Sequence, residues 1–231
     1  MYIPRRYELK DQPAILDFVR ANSFGILVSV SDGRPLGTHI PLMLSLDEKG
    51  APCLLGHISK GNEQKHTLRE GAPVLAIFTG PHAYISPRWY TEMNVPTWNY
   101  MAVHAYGTIE PMDGEALHAA LSSMVDHYEQ GRPRPVKMDE IPEKVLQDDL
   151  RGIVGFRIRV TEWQAAAKLS QNRDETSYHQ VITELEGSDD AAARGVAEAM
   201  READPHKAAE PHDVADPHKA GGPGGPAGGP G

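Results

Sequence analysis

Cysteine is nearly absent: Cys53 is the single thiol in 231 residues. One cysteine cannot form an intramolecular disulfide, which excludes a stapled secreted scaffold and points to a reducing compartment. Long apolar runs are missing too, and no hydrophobic stretch follows the basic residues of positions 1–7. A bilayer span needs roughly 20 consecutive apolar residues, so a soluble, cytoplasmic protein with no membrane partner is expected. Basic charge is the third shortage: 23 lysines and arginines stand against 32 aspartates and glutamates, for a formal net charge of −9. Such a chain repels a phosphate backbone, which disfavours a sequence-nonspecific nucleic-acid binder while leaving room for a local basic patch. Familiar catalytic signatures are also missing. There is no Walker or dinucleotide glycine fingerprint and no G-x-S-x-G elbow. The eleven histidines show neither H-E-x-x-H nor Cys/His ligand spacing, so no metal site is expected.

What is present reads as many short strands with interspersed helices. Asp11 is placed to cap a first helix in which Ile15, Phe18 and Val19 make an apolar stripe ending near Asn22. Strands are expected at 24–31, 36–46 and 52–58, the first two joined by the Asp32-Gly33 turn, giving a three-stranded antiparallel meander. A short helix at 62–70, a strand at 74–79 and an extended piece at 82–86 follow. A long strand at 100–110 then leads to a helix capped by Asp113 and reaching Glu129. Residues 131–142 form a proline-bearing loop. The alternation at 153–160 (IVGFRIRV) marks a strand whose Arg157 and Arg159 face is wet. Two helices, at 174–185 and from 188 to about 202, close the fold. This pattern is α+β, an antiparallel Greek-key-type barrel with peripheral helices spanning residues 1–202.

From about Ala203 the composition changes to three imperfect hexads (DPHKAA, EPHDVA, DPHKAG) and a Gly/Pro end. With almost nothing to bury, residues 203–231 are expected to be a disordered tail. His206, His212 and His218 recur there every six residues and are read as incidental to the repeat.

Three segments concentrate chemistry. Residues 56–62 (GHISKGN) leave a strand and enter a helix, a geometry that presents backbone N–H groups to an anion, with Ser59 and Lys60 adding a hydroxyl and a charge. The bland alternative is an ordinary helix entry. Residues 78–90 and 95–100 gather aromatic, histidine and proline side chains outside any regular period, suited either to a flat ligand or to plugging a barrel end. Residues 168–172 (KLSQN) place an ammonium, a hydroxyl and two amides together, suited to a phosphate or polar heterocycle, or to a plain polar loop.

Residues 1–4 (MYIP), 22–25 (NSFG), 38–42 (THIPL), 80–87 (GPHAYISP), 95–100 (VPTWNY) and 168–172 (KLSQN) together resemble the PaiB-like family of FMN-binding negative transcriptional regulators. The resemblance runs in order from residue 1 to about 202 and omits the tail. It implies an FMN-binding split β-barrel related to pyridoxamine 5′-phosphate oxidase, working as a homodimer with FMN at the interface. By that analogy Thr38, His39, Ile40 and Pro41 lie along the isoalloxazine, and Ser59, Lys60 and Asn62 hold the phosphate. Lys168, Ser170, Gln171 and Asn172 approach the same site, with Tyr84, Trp98 and Asn99 also assigned to it, the last two arriving from the partner subunit. One departure stands out: the oxidases place two basic residues on the phosphate, whereas Thr38 occupies the facing strand position here, leaving Lys60 with help from Lys65 or Lys168. Losing a charge-assisted hydrogen bond of roughly 1.5–3 kcal/mol weakens binding about tenfold or more, so partial FMN occupancy is expected.

The resemblance also implies negative control of transcription, associated with degradative-enzyme synthesis and sporulation. DNA as a partner follows from the family alone and is opposed by the charge and by the lack of a helix-turn-helix with a basic recognition helix. A flavin reductase or oxidase is the enzymatic alternative, with His82, Tyr84 and Trp98 shaping a substrate pocket and catalytic residues unassigned. A haem-binding split barrel using His39, His57 or a tail histidine ranks below both.

Overall fold

The fold follows from an alternation that buries one face of nearly every strand. The computed structural model describes residues 1–207. Strand β1 (Phe24–Ser31) buries Gly25, Leu27 and Ser29 and turns the residues between them outward. Asp32 and Gly33 both take positive φ, 49° and 79°, as a two-residue hairpin turn requires, and return the chain into β2 (Arg34–Pro41). Next come β3 (Met43–Leu46), β4 (Pro52–Ser59), β5 (Pro73–Ile85), β6 (Thr97–Met112) and β7 (Ile153–Lys168). All pairings are antiparallel, in the order β2-β1-β5-β6-β7-β4-β3.

The two ends of that order are neighbours in sequence. Only Leu42 separates β2 from β3; it is fully buried, and its N–H donates to Ser23 O at 2.8 Å. The strand expected at 36–46 is therefore two strands, and the expected meander is corrected. One half bonds to β1 and the other to β4, because a strongly twisted sheet curls until its edges approach and the chain bends at Leu42 to pass between them. The result is a seven-stranded antiparallel sheet in an α+β chain, whose two edge strands are joined directly through Leu42.

Inside lies the main core, with Leu27, Phe78, Val103, Ile109, Phe156 and Ile158 essentially inaccessible. Each such side chain contributes about 1.5–3 kcal/mol by leaving water. Helix α1 (Gln12–Ala21) adds Ile15, Phe18 and Val19 to this core, and Asp11 caps it by accepting from Ala14 N–H at 3.0 Å. Helix α2 (Gly114–Glu129) packs Ala120 and Met124 outside the barrel against Met43, Cys53 and Leu55. Helices α4 (Glu175–Glu186) and α5 (Ala191–Glu202) form a third cluster with Ala83 and Ile85 at the far end of β5.

Several boundaries differ from the sequence reading. The extended piece at 82–86 continues β5 across a register shift between Thr79 and His82. The segment at 62–70 is one 3-10 turn (Glu63–Thr67), too short for an α-helix. Strand β7 runs to Lys168 instead of ending at 160, because β6 pairs with it along that length. A further helix, α3 (Glu143–Arg151), occupies a stretch to which no element was assigned. Arg157 and Arg159 do lie on a wet face, both paired with Glu110.

Of the expected tail, residues 203–207 are described and pack on α4. Asp204 carboxylate meets His179 Nε2 at 2.9 Å, and His206 Nε2 lies 3.2 Å from Arg173 O. Residues 208–231 lie outside the described residues. Among the described residues, no helix is long and apolar enough to cross a membrane.

Candidate functional site

Strand β4 ends at Ser59 and the chain turns through Lys60 and Gly61 to Asn62, whose side chain organises the corner. Asn62 Oδ1 accepts from Gln64 N–H at 2.9 Å, starting the 3-10 turn, and Asn62 Nδ2 donates to Thr38 Oγ1 at 2.9 Å. That second bond joins the β4 exit to β2. Beside it opens a cleft of about 690 Å³, floored by Thr38, Ile40, Pro41, His57, Ser59 and Asn62 and walled by Leu121 of α2 and by Leu146, Asp148 and Asp149 of α3. The volume falls within the roughly 300–1,000 Å³ of small-molecule sites.

The sequence-assigned residues divide into two groups. Thr38, Ile40, Pro41, Ser59 and Asn62 come together in the cleft. His39 belongs to the alternate face of β2, with its ring centroid 6.4 Å from that of Phe24. Lys60 Nζ donates to Arg151 O at 2.6 Å, and Lys65 Nζ donates to Lys60 O, so both ammonium groups already hold backbone carbonyls at this corner.

The second group gathers where β5, β6 and β7 end. Asn99 is fully buried and exchanges hydrogen bonds with Ser170, Nδ2 donating to Oγ at 3.0 Å and Ser170 Oγ donating back to Oδ1 at 3.2 Å. This pair holds Ser170 at a positive φ of 62°. Lys168 Nζ donates to Thr97 Oγ1 at 2.5 Å, and burial, helped by Arg173, lowers its pKa. Gln171 Oε1 accepts from Leu169 N–H at 2.8 Å, and Asn172 Oδ1 accepts from the Tyr7 hydroxyl at 3.1 Å. Tyr84 and Trp98 stand exposed at this edge, edge-to-face with centroids 6.1 Å apart, with His82 6.3 Å from Trp98. Among the described residues, no hydrogen bond connects the two groups.

Two contributors to the cleft were missed from sequence. His57 is one: its Nδ1 is buried without a hydrogen-bond partner, and burial lowers the pKa of the ring, which favours neutral imidazole. An unpaired buried nitrogen costs about 1–3 kcal/mol, and His57 carries this one beside the cleft that it lines. Helix α3 is the other. Its signal was available in Pro142 before it, Gly152 after it and apolar residues at 145, 146 and 150, but the segment is short and strongly charged.

A phosphorylated, partly apolar ring system fits this donor set. Thr38, Ser59 and Asn62 offer hydroxyl and amide donors, Lys60 offers charge, Ile40 and Pro41 offer an apolar floor, and His57 Nδ1 lacks a partner. The carboxylates of Asp148 and Asp149 oppose an anion, although Asp148 is paired with Arg151.

A second surface is relevant to assembly. Ile26 pairs with Ile77, Val28 with Leu75, Ile77 with His104 and Leu75 with Tyr106. Antiparallel partners share a face, so these residues form an outer, half-exposed apolar stripe flanked by the exposed Phe24 and Val30.

Residues 1–162 match a family model described as "Putative FMN-binding domain". The chain is 43% identical over 202 residues to the protease synthase and sporulation protein PAI 2 of Bacillus subtilis, covering 87% of this chain and 97% of that protein. An uncharacterized Aspergillus fumigatus protein is 28% identical over 253 residues, with the same coverages of 87% and 97%. Among solved structures, the flavocytochrome Anf3 of Azotobacter vinelandii superposes with a TM-score of 0.55 at 17% identity, over 77% of this chain and 78% of that one. The FAD and heme binding protein of Mycobacterium smegmatis gives 0.53 at 17% identity, over 70% and 73%. These similarities in fold make the sheet a split β-barrel, and by the match across most of its length this chain belongs to the FMN-binding domain family.

Proposed function

We propose that the chain binds FMN in the cleft between β2, β4 and α3, forms a cytoplasmic homodimer, and acts as a flavin-dependent or redox-responsive regulator. The observation that carries this reading is the Asn62–Thr38 corner beside a cleft with an unpartnered imidazole nitrogen, in a chain of an FMN-binding family. Thr38, Ser59, Lys60 and Asn62 hold the phosphate, and Ile40 and Pro41 back the ring. His57, neutral, hydrogen-bonds through Nδ1 and adds no charge. When bound, FMN supplies hydride and one-electron chemistry. The chain's own part is to bind, orient and exclude water.

A second copy is the occupant proposed for the apolar stripe centred on Ile77, and it brings Trp98 and the 168–172 loop toward the partner's cofactor. The regulatory role takes its support from the relative named for protease synthesis and sporulation. With a net charge of −9, the chain is better suited to acting through a partner protein or a redox signal than through operator contact. An absorbance spectrum of purified protein with a native mass tests the proposal. Flavin bands and a two-chain mass are expected; a bare protein that takes up no added FMN, or a Soret band instead, would overturn it.

The exposed Tyr84, Trp98 and His82 edge favours one other reading, a flavin reductase or oxidase with a planar substrate stacked there. The reductase form fails if NAD(P)H leaves the bound flavin unbleached under anaerobic conditions.

A further inference from the structure

Helix α3 walls one side of the cleft, yet little holds it there. None of its residues is buried, and Pro142 at its N-cap provides no capping side chain. Its attachment lies at the C-terminus, where Lys60 Nζ donates to Arg151 O at 2.6 Å and Lys60 N–H donates to Gly152 O at 2.8 Å. The backbone bond extends the β4–β7 ladder, in which Ser59 pairs with Ile153, and so belongs to the barrel. The ammonium bond is different: Lys60 stands at the rim between Ser59 and Asn62, which line the cleft, so a phosphate held by those two residues competes for the same group.

Charge sharpens that competition. Asp148 and Asp149 of α3 both line the cleft. Asp148 pairs with Arg151, whereas Asp149 has no ion-pair partner among the described residues. An ammonium carries three donors, so Lys60 by itself could serve a phosphate and a carbonyl together. The carboxylates oppose that option: a phosphate reaching Lys60 while α3 is docked approaches the wall that Asp148 and Asp149 line, and like charges repel even at this solvent-exposed rim.

We propose that α3 is a phosphate-operated gate: the docked helix and a phosphorylated flavin compete for Lys60, so FMN binding releases residues 143–151 and riboflavin binding does not. This rests on the FMN reading above and adds its regulation. It makes flavin occupancy visible on the surface, as a helix that is either held or free.

Hydrogen–deuterium exchange of the full chain, alone and with FMN or riboflavin, tests the gate, with flavin fluorescence followed in the same samples to report binding. FMN is expected to raise exchange in residues 143–151 several-fold, and riboflavin to leave it unchanged. In Lys60→Met the segment is expected to exchange fast without ligand and to ignore FMN; in Lys60→Arg the response is expected to survive. If fluorescence shows FMN bound while exchange at 143–151 stays constant or falls, or if riboflavin has the same effect as FMN, the gate is overturned and the FMN reading stands. If FMN does not bind at all, both are overturned. The wild-type comparison requires no variant to fold.

Discussion

Asn62 carries two duties through one amide, and they separate on mutation. Its Oδ1 caps the 3-10 turn and its Nδ2 fixes Thr38. Asn62→Ala is expected to cost about 0.5–2 kcal/mol of stability through the lost cap and to weaken FMN about tenfold, roughly 1.4 kcal/mol. Denaturant midpoints and a flavin-fluorescence titration check the two parts. His57 gives a pH prediction. Burial depresses its folded pKa, so as pH falls below the ordinary histidine value of about 6.5 the unfolded chain takes up a proton before the folded one. Stability is therefore full above that value and declines as pH falls toward the folded pKa. His104, depressed by burial and by the N-terminal ammonium, acts in the same direction. Thermal midpoints are expected to drop across that window, and His57→Gln to make the decline shallower. At this scale Ser59 and Lys60 were legible from sequence as donors leaving a strand, whereas Thr38 and Asn62 were assigned through the family resemblance. His57 was read only as a possible haem ligand, because one imidazole in a strand says nothing about what will pack around it.

Strands β6 and β7 form the longest ladder, and their shared irregularity shows what holds the barrel's shape. The register shifts between Tyr106 and Gly107, where a Cβ on Gly107 would lie 2.3 Å from Arg159 O. Backbone cannot yield as a side-chain tip does, so Gly107→Ala is expected to destabilise by about 3 kcal/mol, measured by urea unfolding. Element existence was largely legible: α1 with its Asp11 cap, the Asp32-Gly33 hairpin, and the amphipathic α4 and α5 follow from local period and capping, while α2 follows from period alone, since Asp113 at its N-cap makes no side-chain cap bond. What was not legible depends on partners. Local alternation runs unbroken through residues 36–46, and only the competition of β1 and β4 for that stretch divides it at Leu42. Likewise β7 reads as ended at 160 because AAA at 165–167 carries little strand signal, and the pairing with β6 extends it.

For the whole molecule, the decisive feature is a barrel with an apolar stripe outside as well as inside. Leu27, Ala76 and Ala105 face the core, while Ile26, Ile77 and Leu75 face outward on the same strands. A charged residue at the stripe's centre costs little in an isolated barrel and much in a dimer, since burying an unpaired charge is unfavourable. Ile77→Glu is expected to give a folded single chain by native mass and circular dichroism, with FMN affinity reduced at least tenfold; an unchanged two-chain mass would show that the subunits meet elsewhere. The amino-acid sequence by itself determined the fold class, the family, and the donors placed at strand ends, because period, turn chemistry and residue type are local properties. Tertiary structure alone decided that the chain passes at Leu42 from one edge of the sheet to the other, that α3 rather than a loop walls the cleft, and that the two groups of site residues stand apart within one chain. Each of these depends on which strands and helices win a shared hydrogen-bonding edge or apolar face, and that contest has no trace in any short stretch of sequence.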